Sequence, residues 1–580
     1  MDHSWQNLPP HVFDSIFSNF SVRELKTFSL VSRSWLQSID TFWRKNILFY
    51  TYRLENDDDL KVLSSSQRYF VNFRIGSEAM DDIDMVRGLL QILKDREEDG
   101  NPPHIEYLEV PLLDEIFEIL RNVGSSLKTL IIDGGSPDIT DEVSLQNLSS
   151  VERLSVIEVS SQFFVSPEFF KSLVYLRLDN DRVDLKFLEF LKTLTTNNKY
   201  TLESLSITLT VSDFENTWSI SDFEFFGELK KLKHFSIENT TQPEMFRAMI
   251  KNPMNLESLK LEVNSMELED FVQIKTNFQS LKSLAINRSE DLTLTRDCWY
   301  EIWSLENLLN LKIDFCFYSK NDLLESLRFK ILKLEKITLN EVYFDDDLAS
   351  TVFRKCPFLK EFKLFDAKDG KVTFRLVQEA ADHLRSLEVL DINSNFLNVD
   401  DNLKNNSVVT QIFQNLKSLK LPTLKTKFLK EIKAPNLKKI DFANSTEIDE
   451  EGLKKVCENC PLIEDLDLYN TKVTDSGINE VSLKLKFLKI LCCHVCESLT
   501  LDAVASVVEN CKYLQDADFG YIFKRDDDES FEKRLHEIRI LRNPPLNFHV
   551  KRFEEIEGFG KYKLITDSCI VRLSNDRKRS

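Results

Sequence analysis

One pattern recurs seventeen times along this chain: an apolar residue, two variable ones, a second apolar residue, one variable residue and a third apolar residue. It first reads Ile105-Leu108-Val110, passes through Leu173-Leu176-Leu178, Leu256-Leu259-Leu261 and Leu334-Ile337-Leu339, and ends at Leu514-Ala517-Phe519. The register advances by about 26 residues per unit. The last three positions alternate as a short strand does, with two apolar side chains on one face and the residue between them on the other. Stretches such as EEGLKKVCENC (450–460) and LDAVASVVENC (501–511) lie between the strands, and their apolar residues recur at helical spacing. A unit this small buries its apolar stripe only by stacking on neighbours. The expected fold class is therefore α/β, a solenoid with a parallel sheet on its inner rim and helices on its outer rim. The length of 580 residues fits an array, since single cores stop growing near roughly 250–300 residues.

This pattern resembles the leucine-rich-repeat superfamily, whose units run to roughly 20–29 residues. The array is assigned to residues 105–523. Residues 49–104 are read as a linker and a degenerate capping repeat, with a strand within Arg68–Ile75 and a helix over 82–94. Residues 213–228 lengthen one unit and are expected to loop out on aromatic anchors. The pattern is lost after residue 523, and 524–580 are read as a C-terminal cap and tail.

Residues 5–48 differ in kind. Pro9 and Pro10 suit a first helical turn, and Val12, Phe13, Ile16, Phe17 and Phe20 follow at helical spacing. Ser21-Val22-Arg23-Glu24 is a capping box opening a second helix that carries Leu25, Phe28, Val31, Trp35 and Ile39. A block of this size cannot bury so many large apolar side chains alone. The order Leu8-Pro9, Val12, Ile16-Phe17, Glu24-Leu25, Leu30-Val31-Ser32, Trp35 and Phe42-Trp43 resembles the F-box, a small three-helix module. Ser32 stands where many members carry cysteine. The resemblance implies binding to the Skp adaptor, and through it to a cullin scaffold, by Leu8, Pro9, Val12, Ile16, Phe17, Leu25, Leu30, Val31 and Trp35. An F-box followed by leucine-rich repeats is similar to the substrate-recognition subunits of Skp–cullin–F-box ubiquitin ligases. The alternative is a repeat scaffold or inhibitor that holds a protein partner without ubiquitin transfer.

Other chemistry finds little support. The net charge of -20 argues against a nucleic-acid surface, and no apolar run approaches the roughly 18 residues of a membrane helix. The opening MDHSWQNLPPHVF lacks a basic region followed by an apolar one, so no secretory leader is expected and the location is read as cytoplasmic or nuclear. All ten cysteines lie at or after Cys298. Cys457-x-x-Cys460 and Cys492-Cys493-x-x-Cys496 have the spacing of zinc half-sites. Their places in the repeat, at helix ends and strand positions, favour packed thiols instead. No phosphate loop, HExxH pair or nucleophile elbow is present. No cofactor, metal or catalytic residue is assigned.

A protein substrate would meet the outward residues of the strands. The middle position reads Lys260, Lys312, Lys363 and Lys420 through the central units, then Asp441, Asp467 and Asp518 toward the end, with Lys336 flanking. We expect a basic central stripe suited to an acidic or phosphorylated ligand and an acidic end suited to a basic one. Phe365 and Tyr469 are candidate aromatic anchors. The competing reading is that neighbouring carboxylates neutralise these charges.

Overall fold

A computed structural model describes residues 48–50, 72–74, 105–110, 120, 125–134, 148–157, 167–180, 185–209, 219–240, 243–263, 265–287, 293–328, 330–368, 372–393, 411–421, 429–430, 432–446, 448–496, 498–523, 547–556 and 561–569. The F-box-like positions Leu8 to Trp35 and the helix expected over 82–94 lie outside the described residues. The chain divides into two compact units, residues 1–281 and 282–580.

In the first unit, parallel strands follow one another from Leu48–Tyr50 and Asn72–Arg74 through Tyr107–Val110, Thr129–Asp133, Arg153–Ile157, Tyr175–Asn180, Ser204–Leu209 and His234–Thr240 to Ser258–Val263. In the second, ten parallel strands run from Ser283–Asn287 to Asp516–Phe523. Asn547–Ile556 adds one more parallel strand, and Lys561–Cys569 closes the edge antiparallel to it. All seventeen repeat segments form strands, and within each unit each strand is in register with the next. Their apolar triplets are buried, as at Leu359, Phe362 and Leu364 or Ile463, Leu466 and Leu468. That lateral burial is what the spacing demands.

The first unit carries helices α1 (Leu185–Asn197), α2 (Glu244–Ile250) and α3 (Leu268–Asn277). The second carries α4 (Arg296–Trp303), α5 (Lys320–Ser326), α6 (Asp346–Lys355), α7 (Phe374–His383), α8 (Glu450–Asn459), α9 (Asp475–Lys484) and α10 (Leu501–Asn510). Side-chain oxygens of Thr295, Asp345, Thr373, Asp449 and Thr500 accept bonds from first-turn N–H groups of α4, α6, α7, α8 and α10. One expectation needs correcting. Ile220–Glu228 is a 3-10 helix rather than a loop. Phe223 and Phe226, three residues apart, line up on one side of such a helix, and both are buried, with Phe226 edge-on to Phe235.

Two devices join successive units. The first is an asparagine near the end of the helical segment. Asn198 is 1% exposed; its Oδ1 accepts from Leu173 N–H, and its Nδ2 donates to the carbonyls of Phe170 and Leu194, each at 2.8 Å. Asn277 donates to Ile250 in the same manner. The second is a left-handed residue just past the strand. Phe315, Glu341, Asp366, Asn444, Asn470 and Val495 all have φ between 43° and 64°. The N–H groups of the first five donate to carbonyls of the next unit, extending the ladder while the chain turns. Asparagine tolerates this conformation, and a β-branched residue does not.

Val495→Asn should therefore raise stability by about 1 kcal/mol, read from chemical denaturation. Asn198→Ala should lower it by about 1–3 kcal/mol, because it strands buried backbone groups. Equal stability of either variant and the parent would contradict the assignment.

Candidate functional site

In the second unit, the middle strand positions form one continuous row: Ala285, Lys312, Thr338, Lys363, Asp391, Lys420, Asp441, Asp467, Cys492 and Asp518, each paired in register with the next. Lys312, Lys363, Lys420, Asp467 and Asp518 thus share one face, and Lys336, two residues before Thr338, shares it too. Lys260 sits in the equivalent row of the first unit, beside Ser236.

The lysines do not stand as an unpaired positive stripe. Lys336 and Lys363 both hold Glu361, at 3.1 and 2.7 Å. Lys312 lies 3.5 Å from Asp314, Lys420 lies 3.1 Å from Asp441, and in the first unit Lys260 lies 2.7 Å from Glu238. Burial alone would raise the Glu361 carboxyl, but its hydrogen bonds to Lys363 and Lys336 outweigh that and hold it below the ordinary range. Glu361 and Asp314 occupy positions two residues from a lysine on the same strand, so they were legible as same-face neighbours. They are the neighbouring carboxylates of the competing expectation, in which the lysines are neutralised. Half-exposed pairs of this kind contribute roughly 0–1 kcal/mol each. A ligand carboxylate can therefore replace the resident one at little cost, leaving the displaced acid to meet a ligand cation.

The C-terminal part of the face is organised differently. Asp441 and Asp467 each accept a bond from the backbone N–H two residues on, Ala443 and Tyr469. Asp518 Oδ1 lies 3.3 Å from His494 Nδ1, and the His494 ring stacks on Tyr469 at 5.8 Å. Tyr469 is exposed, whereas Phe365 is half-buried beside Asn340 and Asn393. Tyr469 is therefore the more accessible of the two aromatic candidates.

The nine cysteines with described side chains are buried thiols. Cys356, Cys460 and Cys511 cap the C-termini of α6, α8 and α10. Cys496 Sγ donates to the Leu468 carbonyl of the preceding unit at 3.2 Å. Its hydrogen bond with Cys493 leads the factors that bring its pKa to about 7, against burial. Burial raises Cys493 instead. No group of His, Cys, Asp or Glu among the described residues is arranged to hold a metal ion. No helix among them is long and apolar enough to cross a membrane.

One carboxylate on the face is poorly served. Asp391 lies in the row between Lys363 and Lys420, and its buried Oδ1 has no hydrogen-bond partner. Burial pushes its carboxyl above the ordinary range, and the two lysines offset this only in part. The folded protein therefore keeps this proton to a higher pH than the unfolded chain does. The associated stability is complete below the ordinary carboxylate value of about 4 and is lost as pH rises through the folded value. Asp391→Asn should remove that loss, so its unfolding midpoint should gain on the parent's between about pH 4 and 7. A gap independent of pH would contradict this.

Comparison with known proteins assigns the N-terminal end. The F-box domain family matches residues 5–46. No curated protein matches the chain significantly. Similar solved structures include the crystal structure of the Rad7 and Elc1 complex in yeast, 16% identical, covering 78% of this chain and 95% of that one with a TM-score of 0.39. The TLR13–ssRNA13 complex is also 16% identical, covering 74% of this chain and 60% of that one with a TM-score of 0.44. The chain thus carries an F-box domain, an adaptor-binding module of ubiquitin ligases, at residues 5–46, before the stacked parallel strands in sequence.

Proposed function

We propose that this chain is the substrate-recognition subunit of a Skp–cullin–F-box ubiquitin ligase. Leu8, Pro9, Val12, Ile16, Phe17, Leu25, Leu30, Val31 and Trp35 grip the Skp adaptor, and the adaptor joins the chain to a cullin. A protein substrate docks on the strand face of residues 282–580, through Lys312, Lys336, Lys363, Phe365, Lys420, Asp467, Tyr469 and Asp518. Lys260 belongs to the corresponding face of the first unit.

The observation that carries this reading is the F-box match at 5–46. The exchangeable ion pairs of the strand face support the second half. A substrate with alternating charge replaces Glu361 or Asp441 at a lysine while presenting its own cation to the freed acid, so docking is selected by charge order rather than net charge. The chain performs no bond chemistry. It raises the effective concentration of a substrate lysine near a ubiquitin-charged enzyme held elsewhere in the assembly.

Affinity purification of the full chain should recover the Skp adaptor, and the Leu8→Ala/Val12→Ala double variant should lose it. Failure of the unaltered chain to recover the adaptor would sink the assignment.

A further inference from the structure

The residue immediately before each repeat triplet lies where the chain leaves the helical side and enters the strand. It is polar in most units: Ser126, Ser150, Ser172, Thr201, Asn255 and Asn415 are examples. The polar side chains have a structural task. Ser126 Oγ donates to the Ile105 carbonyl and Ser150 Oγ to that of Leu127, both at 3.0 Å. Asn415 and Asn436 Nδ2 donate to the carbonyls of Arg385 and Gln414, at 2.9 and 2.7 Å. In three consecutive units near the end of the chain the position turns apolar, as Leu462, Phe487 and Tyr513.

Leu462 and Phe487 have no donor for that hydrogen bond, the Tyr513 hydroxyl stands at the far end of its ring, and none of the three is buried in exchange. They are 37%, 47% and 59% exposed, and the Phe487 and Tyr513 rings stack at 6.2 Å, 16° from parallel. Phe358, the other aromatic at this position, stands alone between Lys333 and Ser386 in the neighbouring units. The stripe is bordered by cations. Lys486 and Lys512 directly precede the two aromatics and are exposed. Lys438 and Lys489 flank it from the strand side, sharing the single carboxylate of Glu464 at 2.8 and 2.6 Å. Two lysines share one carboxylate here and two more directly precede the aromatics, on a chain whose net charge is -20.

We infer that Leu462, Phe487 and Tyr513 form a second docking site, at the edge where the chain enters the strands, for a protein segment that alternates apolar and acidic residues. Apolar side chains of the segment cover the ladder, and its carboxylates meet Lys486, Lys512, Lys438 and Lys489. A single-stranded nucleic acid also favours aromatics beside lysines. The -20 charge opposes a polyanion, however, and Glu464 sits within the strip, whereas a short acidic segment needs only the local cations. The site does not depend on the adaptor reading or on the strand face.

The test uses the full chain and a fluorescein-labelled synthetic peptide of alternating leucine and glutamate, followed by fluorescence anisotropy. Phe487→Ser/Tyr513→Ser restores the residue type of the upstream units and should leave the thermal unfolding midpoint unchanged. Lys486→Glu/Lys512→Glu keeps the apolar ladder and changes only its border. The peptide should bind the parent chain, weaken as salt is added, and lose about tenfold or more in affinity with either variant. The inference is overturned if the peptide fails to bind, or if both variants bind it as the parent does. It is equally overturned if a leucine–lysine peptide or an oligouridine binds more tightly, or if sedimentation shows self-association that the variants abolish, which would make a second copy the occupant.

Discussion

Lateral burial of the apolar triplet is the constraint on which everything else rests. A segment such as Ile463-Leu466-Leu468 has no interior of its own; its side chains are dry only because the units on either side supply the walls. Parallel pairing in strict register follows, since a slip of one residue would turn the triplet outward. With inward positions committed to packing, the outward row is left available for recognition. The devices joining the units, asparagine near the helix end and a left-handed residue after the strand, keep that row aligned.

Much of this was legible beforehand, because burial leaves a periodic trace in apolar residues. All seventeen triplets formed strands, and the helix ends fell at Cys356, Cys460 and Cys511. What escaped the reading depends on geometry that periodicity does not encode. The strain at Val495 is a dihedral property, invisible until the turn is built. The 3-10 helix over Ile220–Glu228 was hidden because closely spaced aromatics fit a loop and a helix equally. Partners such as Asp346, whose carboxylate accepts from Thr373 one unit later, join residues far apart in the chain.

The face itself shows why a charge list is a poor guide to a binding site. Taken alone, Lys312, Lys336, Lys363 and Lys420 describe a basic stripe; with Asp314, Glu361 and Asp441 in place they describe a ladder of exchangeable pairs. Such a surface carries little net charge and gains specificity from the order of its charges. Asp391, whose Oδ1 is unpartnered, is where that order is under most tension.

The proposed division of labour gives residues 5–46 to the ubiquitin machinery and leaves the strand face of residues 282–580 to the substrate. Cross-linking mass spectrometry of the full chain bound to the Skp adaptor addresses it directly. Adaptor cross-links should concentrate at Lys26 and Lys45, leaving Lys336, Lys363 and Lys420 unlinked. Adaptor cross-links at those three lysines would mean that the machinery itself occupies the face, and the division would fall.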